Sequence, residues 1–187
     1  AVCSVLSAAR EMGVARRQII TNGYFSKDFD RIIHVAQKII ESGVNEILLS
    51  VDAFHQETIP LEYVKAFANA VNVPDVKLQV HPAWLVSADN DNPYNIETRK
   101  ILAEFNQMRI ETSEGNVIFP SGNAIKYFGE YFDLSKETKN PYQEDPTDIR
   151  AICFSADGSI LGDNIYNNDI DKIMSLYKPI NADFSAD

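Results

Sequence analysis

Residues Ile47–Pro60 read ILLSVDAFHQETIP, and this stretch decides the fold. Ile47, Leu48 and Leu49 form a short apolar run with nothing polar to solvate it, as in a buried strand. Polar side chains then arrive at strand spacing. Ser50 and Asp52 stand two apart, so they project from one face of an extended chain, with Val51 opposite. Ala53 to Thr58 turn the chain and carry His55, Gln56 and Glu57. Pro60 then suits the first turn of a helix, where its missing N–H costs nothing. A buried strand that turns polar at its end, before a loop and a helix, is how α/β proteins build binding sites.

Working outward, the same unit recurs. Val2, Val5, Leu6, Ala9 and Met12 follow helical spacing from the very first residue, so the chain reads as one entered midway. Gly13 closes that helix as a left-handed cap. Gln18–Asn22 reads as a strand ending in the polar turn TNGY, and Ser26 is placed to cap the next helix. That helix carries the stripe Phe29, Ile32, Ile33, Ala36, Ile39 and Ile40, and Gly43 stops it. Glu46–Asp52 is the second strand. Leu61, Val64, Phe67, Ala68 and Val71 mark another helix, broken by Pro74, and Val76–His81 is a strand again. The step from Glu11-Met12-Gly13-Val14 to Ile19 is echoed by Glu41-Ser42-Gly43-Val44 and Ile47, at the size of one βα unit. This predicts a parallel sheet with right-handed helical crossovers.

Beyond His81 the pattern loosens. Ser87–Asn95 reads as a polar loop, Thr98–Ile110 as a helix, Asn116–Pro120 as a strand and Gly122–Phe132 as a short helix. Residues 1–132 would form the βα body. Residues 133–150, charged and holding Pro141 and Pro146, would form a long loop. Residues 151–187 would add a hairpin and a helix. In the hairpin Ala151–Ser155 faces Ile160–Leu161 across Ala156-Asp157-Gly158-Ser159. The helix runs Asp169–Tyr177, capped by Asn168, with Asp169 and Asp171 near its positive end.

The composition excludes some partners. The formal net charge of -10 argues against nucleic-acid phosphate or an anionic membrane as the main partner. With 187 residues and 45% hydrophobic content the chain can bury one real core, yet no apolar run approaches a membrane span. Cys3 and Cys153 lie far apart, which suits a reduced, cytoplasmic protein with both thiols packed inside. Two cysteines cannot supply the ligands an iron–sulfur cluster usually takes, and no bound metal is expected in this chain. Asp89-Asn90-Asp91-Asn92 hints at calcium but fails the EF-hand pattern, because Pro93 and Tyr94 follow and Lys100 stands where the closing Glu belongs. A solvated loop is expected there. No P-loop, GxSxG elbow or HExxH motif occurs.

The strongest site signal is convergence. Three successive strands end in polar residues: Asn22, then Ser50 with Asp52, then Gln79 with His81. In a parallel sheet those ends lie side by side on one rim. His55 either touches a ligand there or bonds within its own loop, and His34 belongs on the solvated face of its helix.

IITNGY followed by LLSVDAFHQETIP resembles the middle of a radical S-adenosylmethionine (radical SAM) domain, whose third barrel strand commonly ends in TNG and fourth in S-x-D. The resemblance runs from Ala1 to about Leu85. It implies an incomplete (β/α) barrel, a 4Fe-4S cluster held by CxxxCxxC after the first strand, and a GGE-type motif ending the second. It also implies that Ser50 and Asp52 approach the SAM ribose, with Asn22 on the same rim. His81 would end strand five, without a motif to assign it a role. ICFSADGSILGDNIYNND is similar to the tail of some members of the family, where a strand pair and a DG turn precede a closing helix.

This chain contains neither CxxxCxxC nor GGE, and the helix holding Cys3 leads straight into TNG. SAM and the cluster are therefore expected in a longer parent enzyme, and the chain alone is expected to be inactive and to bind neither. The substrate is not legible. Without its first two strands the barrel would expose the Gln18–Asn22 edge, which predicts self-association or a covering loop. Two other readings stay open. One is a non-catalytic α/β module that binds a small ligand or protein partner at the same rim. The other is a SAM-independent barrel lyase or isomerase with His81 or Asp52 as base.

Overall fold

The computed structural model describes residues 1–135, 154–155, 157–160 and 162–176. The chain divides into two compact units, Ala1–Ser135 and Lys136–Asp187.

The first unit is built on a parallel sheet. Its strands are β1 (Gln18–Thr21), β2 (Glu46–Ser50), β3 (Lys77–His81) and β5 (Glu111–Thr112), in the order β1-β2-β3-β5. Every pairing is parallel. α1 (Val2–Glu11) precedes the sheet, and the crossovers carry α2 (Phe29–Glu41), the short α3 (Ala53–Gln56), α4 (Leu61–Val71) and α5 (Pro93–Gln107). Strands added consecutively through right-handed crossovers keep their helices on one face of the sheet. The side chains agree. Ile47, Leu49, Leu78 and Val80 are buried with Ile32, Ala36 and Ile39 of α2, Val64, Phe67, Ala68 and Val71 of α4, and Phe105 of α5. Alternate residues turn to the other face: Gln18, Ile20, Glu46, Leu48, Lys77, Gln79 and Glu111. Among the described residues no helix packs over them, and Ile20 stays 60% exposed. β1 is the sheet's edge, and among the described residues no strand pairs with its outer side.

Beyond Pro82, β3 resumes as β4 (Ala83–Trp84), and β5 resumes as β6 (Asn116–Val117), again parallel. Gln79 faces Glu111 and Val80 faces Thr112, but Ala83 faces Asn116. The β5–β6 side therefore carries one extra residue, a bulge of the kind that re-aims side chains. Gly115 makes it possible: its φ is +76°, and a Cβ there would sit 2.3 Å from the Pro82 carbonyl oxygen.

Several elements differ from the sequence reading for identifiable reasons. Asp28, rather than Ser26, caps α2, accepting from Asp30 N and Arg31 N. Asp52 to Gln56 is a cap and a helical turn, not an open loop. Pro60 occupies the capping position, one residue before α4. α5 starts at Pro93, five residues before Thr98, because Asn92 caps it by accepting from Asn95 N and Pro93 fits its first turn. The loop before it is solvated at Ala88, Asp89 and Asp91, but its end is tied to the first turn of α5. Asn95 is fully buried: its Oδ1 accepts from Leu85 N, and its Nδ2 donates to the carbonyls of Leu85, Ser87 and Asn90. Asn116–Pro120 shrinks to two paired residues, followed by α6 (Asn123–Phe128) and a 3-10 turn (Gly129–Tyr131).

In the second unit, β7 (Ser159–Ile160) pairs antiparallel with β8 (Asp163–Asn164), ahead of α7 (Ile170–Leu176). The described pair turns after Ile160, while the expected strand Ala151–Ser155 lies mostly outside the described residues; Gly158 N bonds Ser155 O at the expected turn. Ser155 N does bond Ser159 O. Asp169, not Asn168, caps α7 by accepting from Asp171 N, while Asn168 Nδ2 donates to Asp163 and holds its carboxyl below the usual range. Most of the 133–150 loop, residues 151–153 and Cys153 with them lie outside the described residues.

Candidate functional site

The strand ends are set by register. Ser50 and His81 are paired neighbours at the ends of β2 and β3, and both are half-buried. Thr21 faces Leu49, so Asn22 falls one register step further, beside Ser50. Asn22 is exposed and shapes its own turn, its Oδ1 accepting from Tyr24 N while Thr21 Oγ1 accepts from Gly23 N. Asn22, Ser50 and His81 therefore stand at adjacent strand ends.

Asp52 differs from the expectation of a carboxylate offered to a ligand. It is fully buried. Its Oδ1 accepts from His55 N at 2.9 Å, its Oδ2 accepts from Ala83 N at 2.9 Å, and His55 Nδ1 lies 2.9 Å from both oxygens. The carboxylate caps α3 and ties the end of β2 to β4. Ala53 N next to it donates to Thr98 Oγ1 from α5, which completes the junction. Three N–H donors hold this fully buried carboxylate inside the junction, so its first role is structural rather than to meet a ribose hydroxyl.

His55 belongs to its own loop. The hydrogen bond to Asp52 raises its pKa, burial opposes this, and the Asp52 charge adds to the rise. A histidine whose folded pKa lies above its unfolded value stabilises the fold fully below the unfolded value, and that contribution fades as pH rises through the folded value. His55→Gln should therefore destabilise the chain more at about pH 5 than at about pH 8. Urea unfolding at both values checks this, and an equal deficit at both would contradict it.

The open sheet face forms a polar groove of about 470 Å³ that runs from Arg16, Glu46 and Lys77 to His81, Ser113 and Glu114. Glu46 is the hub at the lower end. Arg16 hydrogen-bonds it and holds its carboxyl below the usual range against the cost of burial, and Lys77 lies 3.8 Å away. Gln79 Nε2 reaches Glu111 at 3.4 Å. At the upper end His81 Nδ1 meets Ser113 Oγ at 2.7 Å. Such a wall suits a polar ligand with several donors and acceptors. A second hollow of about 490 Å³ lies between α3 and α5, lined by Gln56, Glu57, Tyr94 and Glu97, and contains none of the strand-end residues.

The sequence does not single out Ser113 and Glu114, because residues 111–115 are too short a run to declare a strand. Of the other residues considered, His34 is exposed on α2, and Cys3 is packed partly buried against the core from α1. Neither reaches the groove lining. No helix among the described residues is long and apolar enough to cross a membrane.

Compared with known proteins, the chain matches no family model, no curated protein and no solved structure.

Proposed function

We propose that this chain is the later part of a radical SAM barrel, and that the polar sheet face is the inner wall on which the parent enzyme would bind SAM and its substrate. The observation that supports this best is the winding. Strands in consecutive order, with the core residues of α2, α4 and α5 packed on one face and a polar face open among the described residues on the other, match the wall of a (β/α) barrel; a doubly wound sheet has helices on both faces. TNG and S-x-D then stand at the C-terminal ends of adjacent strands, the end at which barrels carry their sites.

The residues fit SAM in part. Asn22 Nδ2 and the Ser50 hydroxyl make no hydrogen bond among the described residues and are placed to meet a ribose edge, with Asp52 fixing the strand end instead of touching the nucleoside. A 4Fe-4S cluster is not fitted by the cysteine described here, since Cys3 packs on α1, so no step through a cluster is assigned to these residues. The proposal places the cluster cysteines on strands preceding β1, with the parent in the cytoplasm and this chain inactive alone. The β1 edge would be covered by those strands, or by a second copy when they are missing. A strictly monomeric chain in light scattering would count against that second outcome.

The test is SAM binding by the longer protein, measured by calorimetry. Ser50→Ala and Asn22→Ala should each weaken it by about 1–2 kcal/mol, the cost of one hydrogen-bond partner. Unchanged affinity in both would remove the ribose assignment and favour a module that binds another small ligand at the rim.

A further inference from the structure

We propose that His81 is the proton-transfer group of the polar groove, and that Ser113 is the positioning residue that leaves His81 Nε2 open to a bound ligand. The inference rests on reading the groove as a ligand wall, but not on the identity of the cofactor.

The register brings the pair together. Val80 faces Thr112, so His81 and Ser113 fall side by side on the groove face at the last step before the Gly115 bulge. Ser113 N and Ser113 Oγ both donate to Val80 O, at 2.9 and 3.2 Å. We take the hydroxyl proton to go to that carbonyl; Ser113 Oγ then offers its lone pair across the 2.7 Å contact, and the ring proton is assigned to Nδ1. The neutral ring then carries its lone pair on Nε2. No hydrogen bond among the described residues occupies Nε2, and His81 lines the groove.

Of the other carboxylates near the groove, Glu114 stands exposed at the rim, while Asp52 and Glu46 are engaged within the fold. Asp52 has both oxygens engaged, and Glu46 is held by Arg16. The ligand class is a polar molecule with an O–H or N–H group that reaches the end of β3. Its proton passes to Nε2, the bonding electron pair stays on the ligand oxygen or nitrogen, and the imidazolium keeps Nδ1–H on Ser113 until the proton is returned.

Nitrogen NMR of the chain labelled with 15N-histidine tests this, with His81→Gln assigning the signal and His34 and His55 as internal references. Neutral His81 should be in the Nδ1–H tautomer. Ser113→Ala should lower the Nδ1–H to Nε2–H ratio about fivefold, as losing one ordinary hydrogen bond implies, and Ser113→Thr, which keeps the hydroxyl, should restore it. Diethyl pyrocarbonate should modify His81 at a rate comparable with exposed His34. An Nε2–H tautomer in the wild type, a ratio unmoved by Ser113→Ala, or a His81 inert to the reagent would overturn the assignment. Neither measurement involves SAM or a cluster, so this inference and the radical SAM reading fail separately.

Discussion

Asp52→Ala is expected to cost this chain about 3 kcal/mol of stability, well beyond the effect of an ordinary cap substitution. The carboxylate has no exposed surface and serves three donors on two elements: His55 N and Nδ1 within α3, and Ala83 N at the start of β4. Truncation leaves Ala83 N and His55 N without their acceptor at a junction already closed by Thr98 from α5. The His55 ring is about one-third exposed and can rehydrate, which keeps the total below a sum of three full penalties. Asp52→Asn should lose less, because the amide oxygen can still cap α3 while its nitrogen opposes another donor. Urea unfolding measures both. A loss under about 1 kcal/mol for Asp52→Ala would mean that the carboxylate is not the junction described and is free to serve a ligand.

Phe67→Ala should cost more still, about 4 kcal/mol, because a fully buried ring leaves a cavity that its neighbours cannot fill. Its position links this loss to the site. The Phe25 ring lies 5.2 Å from it, and Gly23 approaches so closely that a Cβ there would come within 3.1 Å of the Phe67 ring and 2.9 Å of Leu49. Phe67 is thus the floor beneath the turn that holds Asn22. Beyond the lower midpoint in urea, the Gly23 and Tyr24 amides should exchange with solvent faster than amides in β2. Ile20→Ala, on the open face of the same strand region, should cost little. A Phe67→Ala variant with unchanged exchange at Gly23 and Tyr24 would separate the core from the TNG turn and contradict the packing account.

What the sequence made legible follows from length and periodicity. Ile32, Ala36 and Ile39 on α2 and Val64, Phe67, Ala68 and Val71 on α4 recur often enough to give both helices and their buried faces. The apolar run at Ile47–Leu49 gave the central strand, and the polar ends of β1, β2 and β3 gave a rim that the register places together. Short elements defeated the same method. Asp52 carries an N-cap signature, but the helix it starts is only four residues long, too short to show a period. Glu111–Thr112 and Asn116–Val117 are two-residue strands split by a glycine bulge, so neither Ser113 nor its meeting with His81 could be read from alternation. Asn95 was hidden by its chemistry: a polar residue in a polar stretch reads as solvated, whereas here its amide gathers the backbone of the preceding loop.

The central claim is that this polar face belongs to a radical SAM enzyme. Anaerobic reconstitution with iron and sulfide, followed by reduction in the presence of SAM, tests it most directly when applied both to this chain and to the longer parent the proposal requires. The account predicts that the longer protein carries CxxxCxxC, turns brown with a full 4Fe-4S complement and forms 5′-deoxyadenosine, while this chain alone stays colourless. A reading frame that begins at Ala1 with no cysteines before it, or a chain that takes up a full cluster by itself, would contradict the account and leave the groove as the binding site of a different small ligand.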